Sequence, residues 1–335
     1  MRSKASNCLF RTQAWANAWL DVWAKDAGIE LIDLGGNKIP GEMVYRTYQR
    51  IKKIVPVASL HFVGAGSPAL STPRAEYNDV DGIINSASRN VIFAKLKTIQ
   101  WSRFYMPDMV CNSASFESFK DHVQREGWAM HTLKRAPAYY VDAKEFEGYL
   151  AGLGANTRLA YFNRRERLRN IGEISFQQFS LEEMPDFFKT LNDFHLMRWG
   201  QRCYSDKSQL FMRIFIERLK EEGGIAIAES MSVNGEVVSV LFDIVLNGCR
   251  YNLQSGYVEN KFSKIALGAI HMGYGIQAAI ESGLIYDFMA GEGKHSNYKE
   301  RISTHQEMIQ SVVVERGLVK YLRDLKINWN RLGAT

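Results

Sequence analysis

The chain has 335 residues, 46% hydrophobic and 23% charged, with 42 Lys and Arg against 36 Asp and Glu for a formal charge of +6. That composition belongs to a folded protein too long for one small core, and it fits two domains or one large one. No run of about 18 apolar residues is present, so no segment reads as membrane-spanning.

Arg2 and Lys4 lead into a Trp-rich amphipathic pattern and not into the apolar stretch of a signal peptide. Cys8, Cys111, Cys203 and Cys249 form no C-x-x-C pair, which fits a reducing, cytoplasmic setting and argues against a zinc ribbon or a disulfide framework. The positive charge favours an anionic partner without choosing among coenzyme A, a nucleotide sugar, tRNA and a membrane surface.

In chain order, residues 12–27 place Trp15, Trp19, Val22 and Trp23 on one helical stripe destined for a core, and Gly28 stands at the C-cap. Residues 29–34 and 50–63 read as strands, the second interrupted by Pro56, and 64–73 as a Gly/Ser/Pro loop. Strands are expected at 101–105 and 139–141, and helices at 144–153, 156–170, 187–199 and 209–222. Residues 225–257 then read as three strands joined by Asn234-Gly235 and Asn247-Gly248, whose two central positions both need positive φ.

A helix at 263–282 ends at Gly283; a buried strand at 284–289, a strand at 311–315 and a closing amphipathic helix at 318–329 follow. The best boundary lies near 142–156, giving domains 1–150 and 151–335. A meander opening onto a helix N-terminus, then a parallel strand ending in the polar cluster 291–299, is a frame for a phosphorylated donor.

Four patches carry a family likeness. They are the Arg-rich segment with Arg158, Arg164, Arg165, Arg167 and Arg169; Phe194-His195-Leu196-Met197-Arg198-Trp199; Arg250-Tyr251-Asn252-Leu253-Gln254-Ser255-Gly256-Tyr257; and Tyr286-Asp287-Phe288-Met289-Ala290-Gly291-Glu292 with Tyr298-Lys299. In this order and spacing they resemble the CelD/BcsL-type acyltransferases of the GNAT superfamily, relatives of the Fem peptidoglycan aminoacyl ligases. Residues 10–19 and Ala75-Glu76-Tyr77-Asn78-Asp79 are similar to the family in a less specific way. The resemblance implies an α/β (α+β) protein of two tandem GNAT-like domains, each a mixed, mostly antiparallel sheet flanked by helices, the second binding acyl-CoA. The family's Ser-Pro-Gly lead-in to the donor helix reads Ser263-Lys264-Ile265 here, with Lys264 able to supply charge.

Acyl transfer needs a neutral amine, a polarised carbonyl and a proton for the departing thiolate. Strand alternation groups Arg250, Asn252 and Gln254 on one face, with Tyr251, Leu253, Ser255 and Tyr257 on the other. The first is either a substrate face or the wet side of an edge strand. Gln254, Ser255, Ser263, Lys264 and Gly268 are the candidate donor contacts.

Asp287, inside an apolar strand, is either paired, with Lys299 or Arg301, or catalytic. Glu292, at the strand's C-terminal end, is the first general-base candidate, and His295 the second. Tyr298 can protonate a thiolate, and Lys299 can hold a phosphate or carboxylate. His195, Arg198 and Trp199 share a helix face and, with Tyr251, line either the acceptor side or a packed interface.

The implied reaction moves an acyl group, acetyl first, from acyl-CoA (acetyl-CoA) to an amine acceptor such as an amino sugar in surface-polysaccharide assembly. No metal and no DNA partner is expected. Charged tRNA as donor, a non-catalytic scaffold and peripheral membrane association are the alternatives. No P-loop, Gly-x-Ser-x-Gly or His-Glu-x-x-His pattern is present.

Overall fold

The computed structural model describes residues 8–35, 43–51, 54–67, 70–80, 89–291 and 298–332. Its elements begin with α1 (Gln13–Trp23), β1 (Glu30–Asp33), β2 (Met43–Ile51), β3 (Val55–Phe62), α2 (Arg89–Thr98), β4 (Arg103–Val110), α3 (Ala114–Arg125) and β5 (Ala129–Val141). Helices α4 (Phe146–Gly152), α5 (Ala155–Arg158) and α6 (Arg164–Arg169) follow, a π-helical turn at Leu159–Asn163 separating the last two. Then come β6 (Ile174–Gln178), α7 (Met184–Trp199), α8 (Asp206–Leu219), β7 (Ile225–Val233), β8 (Glu236–Leu246) and β9 (Cys249–Tyr257). The chain continues with α9 (Leu267–Glu281), β10 (Ile285–Ala290), α10 (Tyr298–Ile302), β11 (His305–Glu315) and α11 (Gly317–Leu332).

Two compact units result: Met1–Ala136 with Met308–Thr335, and Pro137–Glu307. The division falls within β5 and β11, so residues 308–335 group with the first unit, whereas the sequence reading put a single boundary at 150/151. That difference is one of long-range packing, to which local composition is blind.

In the first unit the strand order is β1-β2-β3-β4-β11, antiparallel except for β3 beside β4. The stretch 50–63 is not one strand. β2 and β3 form a hairpin, and Pro56 sits in β3 before its pairing with β4 begins at Ser59, where a missing N–H is tolerated. The Trp stripe of α1 is core as expected. Trp15 donates from Nε1 to the Gly64 carbonyl at 2.8 Å, and Trp19 stacks on Tyr45 at 4.8 Å.

The motif 75–79 is structural. Glu76 is buried and ion-paired with Arg74 at 2.9 Å; Asn78 donates to the Ala75 and Pro107 carbonyls; Asp79 accepts from Ser113 and Ser115.

In the second unit the order is β5-β10-β9-β8-β7-β6, antiparallel except for β10 beside β9. Both Asn-Gly turns take the expected conformation, with φ of 52° and 80° at 234–235 and 51° and 79° at 247–248. The stretch 156–170 is not one regular helix, because the π-helical turn interrupts it.

The helix expected at 263–282 begins at Leu267 and not at 263: Lys264 has a φ of 62°, outside helical geometry, and Ile265 turns into the core beside Leu267 and Ile270. None of the four cysteines is joined to another in a disulfide. Among the described residues, no helix is long and apolar enough to cross a membrane.

Glu315 closes the first unit's sheet: with no exposure, it meets Arg103 at 2.8 Å and Arg323 at 2.6 Å. Glu315→Ala leaves these guanidiniums without their carboxylate and is expected to lower unfolding free energy by about 3 kcal/mol, read as a shift in urea midpoint at unchanged slope. Arg323→Ala, removing the more exposed partner, should shift it less.

Candidate active site in the second unit

The parallel pairing of β9 with β10 covers three residues: Cys249, Arg250 and Tyr251 lie beside Ile285, Tyr286 and Asp287. Past Tyr251 the strands part. The parting coincides with a bulge on the other edge of β9, where Asp243 pairs with Asn252 but Phe242 pairs with Gln254, leaving Leu253 as an extra residue.

The bulge breaks the alternation read from the sequence. Gln254 and Gly256 face α7, where a Cβ on Gly256 would lie 3.1 Å from both Leu191 and Phe194. Arg250, Asn252 and, past the bulge, Tyr257 face α9. The proposed polar substrate face is therefore not continuous. Arg250 and Asn252 are spent on Asp243, which accepts from Arg250 Nε at 2.6 Å and Asn252 Nδ2 at 2.7 Å, with the Tyr286 hydroxyl at 3.4 Å. Burial pushes the Asp243 carboxyl up, against the pull of Arg250.

Behind this pair His271 sits without exposure, Nδ1 at 3.0 Å from Ser239 Oγ and Nε2 at 3.1 Å from Glu229. The order of a hydrolytic triad is present, but Ser239 is buried and donates to the Gly256 carbonyl. It is a brace between α9 and the meander. Sequence reasoning missed both networks, although Asp243, a lone carboxylate in the apolar run 238–246, was the available signal.

At the parting, α7, β9, α10 and the start of α9 come together. His195 on α7 donates from Nε2 to the Ser255 carbonyl at 3.1 Å; a carbonyl can only accept, so that nitrogen carries the proton. Burial first, and the nearby Arg198 charge, hold His195 below its usual value. Arg198 pairs with Glu259 at 2.7 Å and lies 4.5 Å over the Tyr257 ring.

Tyr298, which opens α10, is close enough to Tyr257 and Arg198 to feel both, and burial pushes its hydroxyl up to about 12. Tyr257 in turn packs on the first turn of α9. A Cβ on Gly268 would fall 2.3 Å from its ring, so only glycine lets that helix start lie so close to β9. No side chain caps α9 at Ala266, which leaves its first-turn N–H groups for other acceptors.

The remaining candidates separate. Ser263 and Lys264 are exposed in the turn before α9; Gln254 and Ser255 are half-buried at the parting, where the Gln254 side chain accepts from the Ser255 N–H. Trp199 is 43% exposed, beside Arg198. Tyr251 is buried opposite Asp287. Asp287 accepts from the Met289 N–H at 2.8 Å, fixing a residue whose φ is 63°.

Lys299 is buried too. Its Nζ donates to the carbonyls of Phe288, Met289 and Ala290 at 2.7, 3.0 and 3.2 Å, so it staples the end of β10 and does not reach out to a substrate. Within the Arg-rich segment Arg165 turns inward, 91% buried over the Tyr274 ring at 3.8 Å. Glu292 and His295 lie outside the described residues. Among the described residues no group of three or more His, Cys, Asp or Glu is arranged to hold a metal ion.

At this parting a strand pair opens beside an uncapped, glycine-bearing helix start. Residues 155–300 match the family model described as Acetyltransferase (GNAT) domain, which supports acyl transfer as the class of chemistry.

Among solved structures the chain is similar to FemX (12% identity, TM-score 0.55, 92% of this chain and 93% of that one). It is also similar to a conserved protein of unknown function from Bacteroides thetaiotaomicron (11%, 0.53, 94% of each). A third likeness is to the C-terminal domain of a proposed lysylphosphatidylglycerol synthetase from Agrobacterium fabrum (10%, 0.51, 97% and 95%). At these identities the likeness is one of fold. No curated protein matches the sequence significantly.

The depressed His195 value has a measurable sign. Its neutral form contributes stability that is present above about pH 6.5 and lost as pH falls through the folded value. The ring C–H resonance of His195, assigned through His195→Gln, is expected to titrate with a midpoint below 6.5; a midpoint above 7 contradicts the buried, Arg198-facing environment.

Proposed function

We propose that the second unit is an N-acyltransferase that moves an acyl group, acetyl first, from acyl-CoA to an amine acceptor. The observation that carries this is the parting of β9 from β10 after Tyr251 beside the uncapped start of α9. Backbone groups of β9 past the parting are where a thioester carbonyl would be polarised, and the first-turn N–H groups at Leu267 and Gly268 are where a pyrophosphate would sit, with Lys264 adding charge.

Tyr298, protonated throughout the neutral range, is the proton donor for a departing thiolate. His195 stays neutral and orients Ser255 and the adjoining β9 backbone. Glu292 and His295 are proposed as the bases that neutralise the acceptor amine, from their position just past the C-terminal end of β10. An amino sugar of surface-polysaccharide assembly is the acceptor that the CelD/BcsL resemblance favours.

A second reading, aminoacyl transfer from charged tRNA, draws on the FemX likeness in fold and on Arg167 and Arg169, which face solvent on α6. It predicts tRNA binding that weakens steeply with salt.

Isothermal titration with CoA and acetyl-CoA decides between them. Micromolar binding is expected, weakened at least about tenfold by Gly268→Ala, whose new methyl must displace Tyr257 or the helix start, and weakened also by Lys264→Glu. Absence of binding to wild type at millimolar ligand, with intact folding, overturns the acyl-CoA reading and moves the weight to tRNA.

A further inference from the structure

The first unit repeats, within itself, the device just described. β3 and β4 are parallel neighbours over three residues, Ser59, Leu60 and His61 beside Arg103, Phe104 and Tyr105, and then part. A helix, α2, intervenes between the two strands in the chain, as α9 does between β9 and β10. β4 continues past the parting into Asp108, whose φ is 46°, much as β10 runs into Met289 with its φ of 63°.

At this parting lies a cavity of about 360 Å³, bordered by β4 from Tyr105 to Asp108, by the chain that follows β3, and by β11. We infer that this cavity is a second small-molecule site, separate from the acyl-transfer site and independent of that reading. Its volume falls within the ~300–1,000 Å³ range of ligand pockets and is more than twice the ~150 Å³ that holds a benzene.

Its chemistry narrows the ligand. The walls are chiefly apolar, from Leu70, Pro73, Tyr105, Met106, Leu133 and Val312. The polar groups are Arg74, Asp108 and Ser311, with two hydroxyls from Ser67 and Thr72. These charges are already engaged with one another. Arg74 Nε meets Asp108 at 2.7 Å and its Nη1 meets Glu76 at 2.9 Å, while Ser311 Oγ donates to Asp108 at 3.2 Å and accepts its N–H at 3.0 Å.

An entering anion would have to compete with two carboxylates for Arg74, and an entering cation would have to compete with Arg74 for Asp108. Either would lose its hydration against apolar walls. An uncharged molecule with an aromatic or alicyclic body and a hydroxyl or amide group has neither penalty, and it can use the pair as a ready donor and acceptor. The ligand class is therefore neutral and amphipathic. It is neither a phosphorylated nucleotide nor a carboxylate.

The test uses three probes of one shape, benzyl alcohol, benzoate and benzylammonium, observed by saturation-transfer NMR and titration on the full chain. Benzyl alcohol is expected to bind in the millimolar range, and each ion at least tenfold more weakly. Two cavity-filling variants locate the site: Leu133→Trp at a wall residue that is 54% exposed, and Leu70→Trp deeper in the wall. Both should lose benzyl alcohol binding by tenfold or more while keeping the wild-type melting temperature.

Leu133 faces solvent by half, so that variant folds even if the other does not. Equal binding of all three probes overturns the proposed selectivity. Undiminished binding of benzyl alcohol in folded Leu133→Trp, or no binding to wild type at tens of millimolar, overturns the site.

Discussion

Asp243 is a carboxylate with no exposure to water, and the shape of the second unit follows from how it is neutralised. Its partners, Arg250 and Asn252, come from the neighbouring strand on either side of Tyr251, so one charge fixes three consecutive residues of β9. Such a pair adds little net stability, because both charges pay desolvation, but it penalises any register that separates them. The strand is thereby held straight up to Asn252 and bulges at the next residue. Tyr286 on β10 reaches the same carboxylate, so the three-residue stretch of parallel pairing is pinned from both sides. Beyond it the pairing of β9 with β10 ends, and the strands open.

The opening is kept in shape by devices that are themselves buried. Lys299 staples the last carbonyls of β10, Asp287 fixes the left-handed Met289, and His271 braces α9 against Ser239 and Glu229. Several residues whose chemistry suggests catalysis are thus spent on backbone geometry. The groups that do face one another at the parting are neutral or tightly paired: a neutral imidazole, a high-pKa phenol and an arginine shared by a carboxylate and an aromatic ring. The parting therefore gathers polar side chains without gathering a large net charge.

The second unit's meander was legible in the sequence because two Asn-Gly pairs fix both turns and hence the register of three strands. That His195 and Arg198 share a helix face was legible from their i, i+3 spacing, and the structure brings Tyr298 and the start of α9 near them. What was hidden depended on single-residue irregularities. A bulge at Leu253 reverses which face Gln254 occupies; a left-handed Lys264 moves the start of α9 to Leu267; a π-helical turn breaks the Arg-rich segment before Arg165. Periodicity assumes no such insertions, so it could not foresee them. Lys299 was misjudged for another reason: a lysine that caps three carbonyls looks, in sequence, like one that waits for an anion.

The grouping of residues 308–335 with the first unit also sets an order of assembly. On a ribosome the strands of the second unit are all made before β11 is complete, and that unit is one continuous stretch of chain. The first unit, although begun earlier, lacks β11 beside β4 until the second unit has been made, and Arg103 waits for a carboxylate 212 residues downstream. Until then β4 has an open edge, the feature most prone to wrong pairing in a growing chain. Of the two units, the one whose synthesis begins first is therefore completed second, with the edge of β4 unpaired while the inserted unit is made.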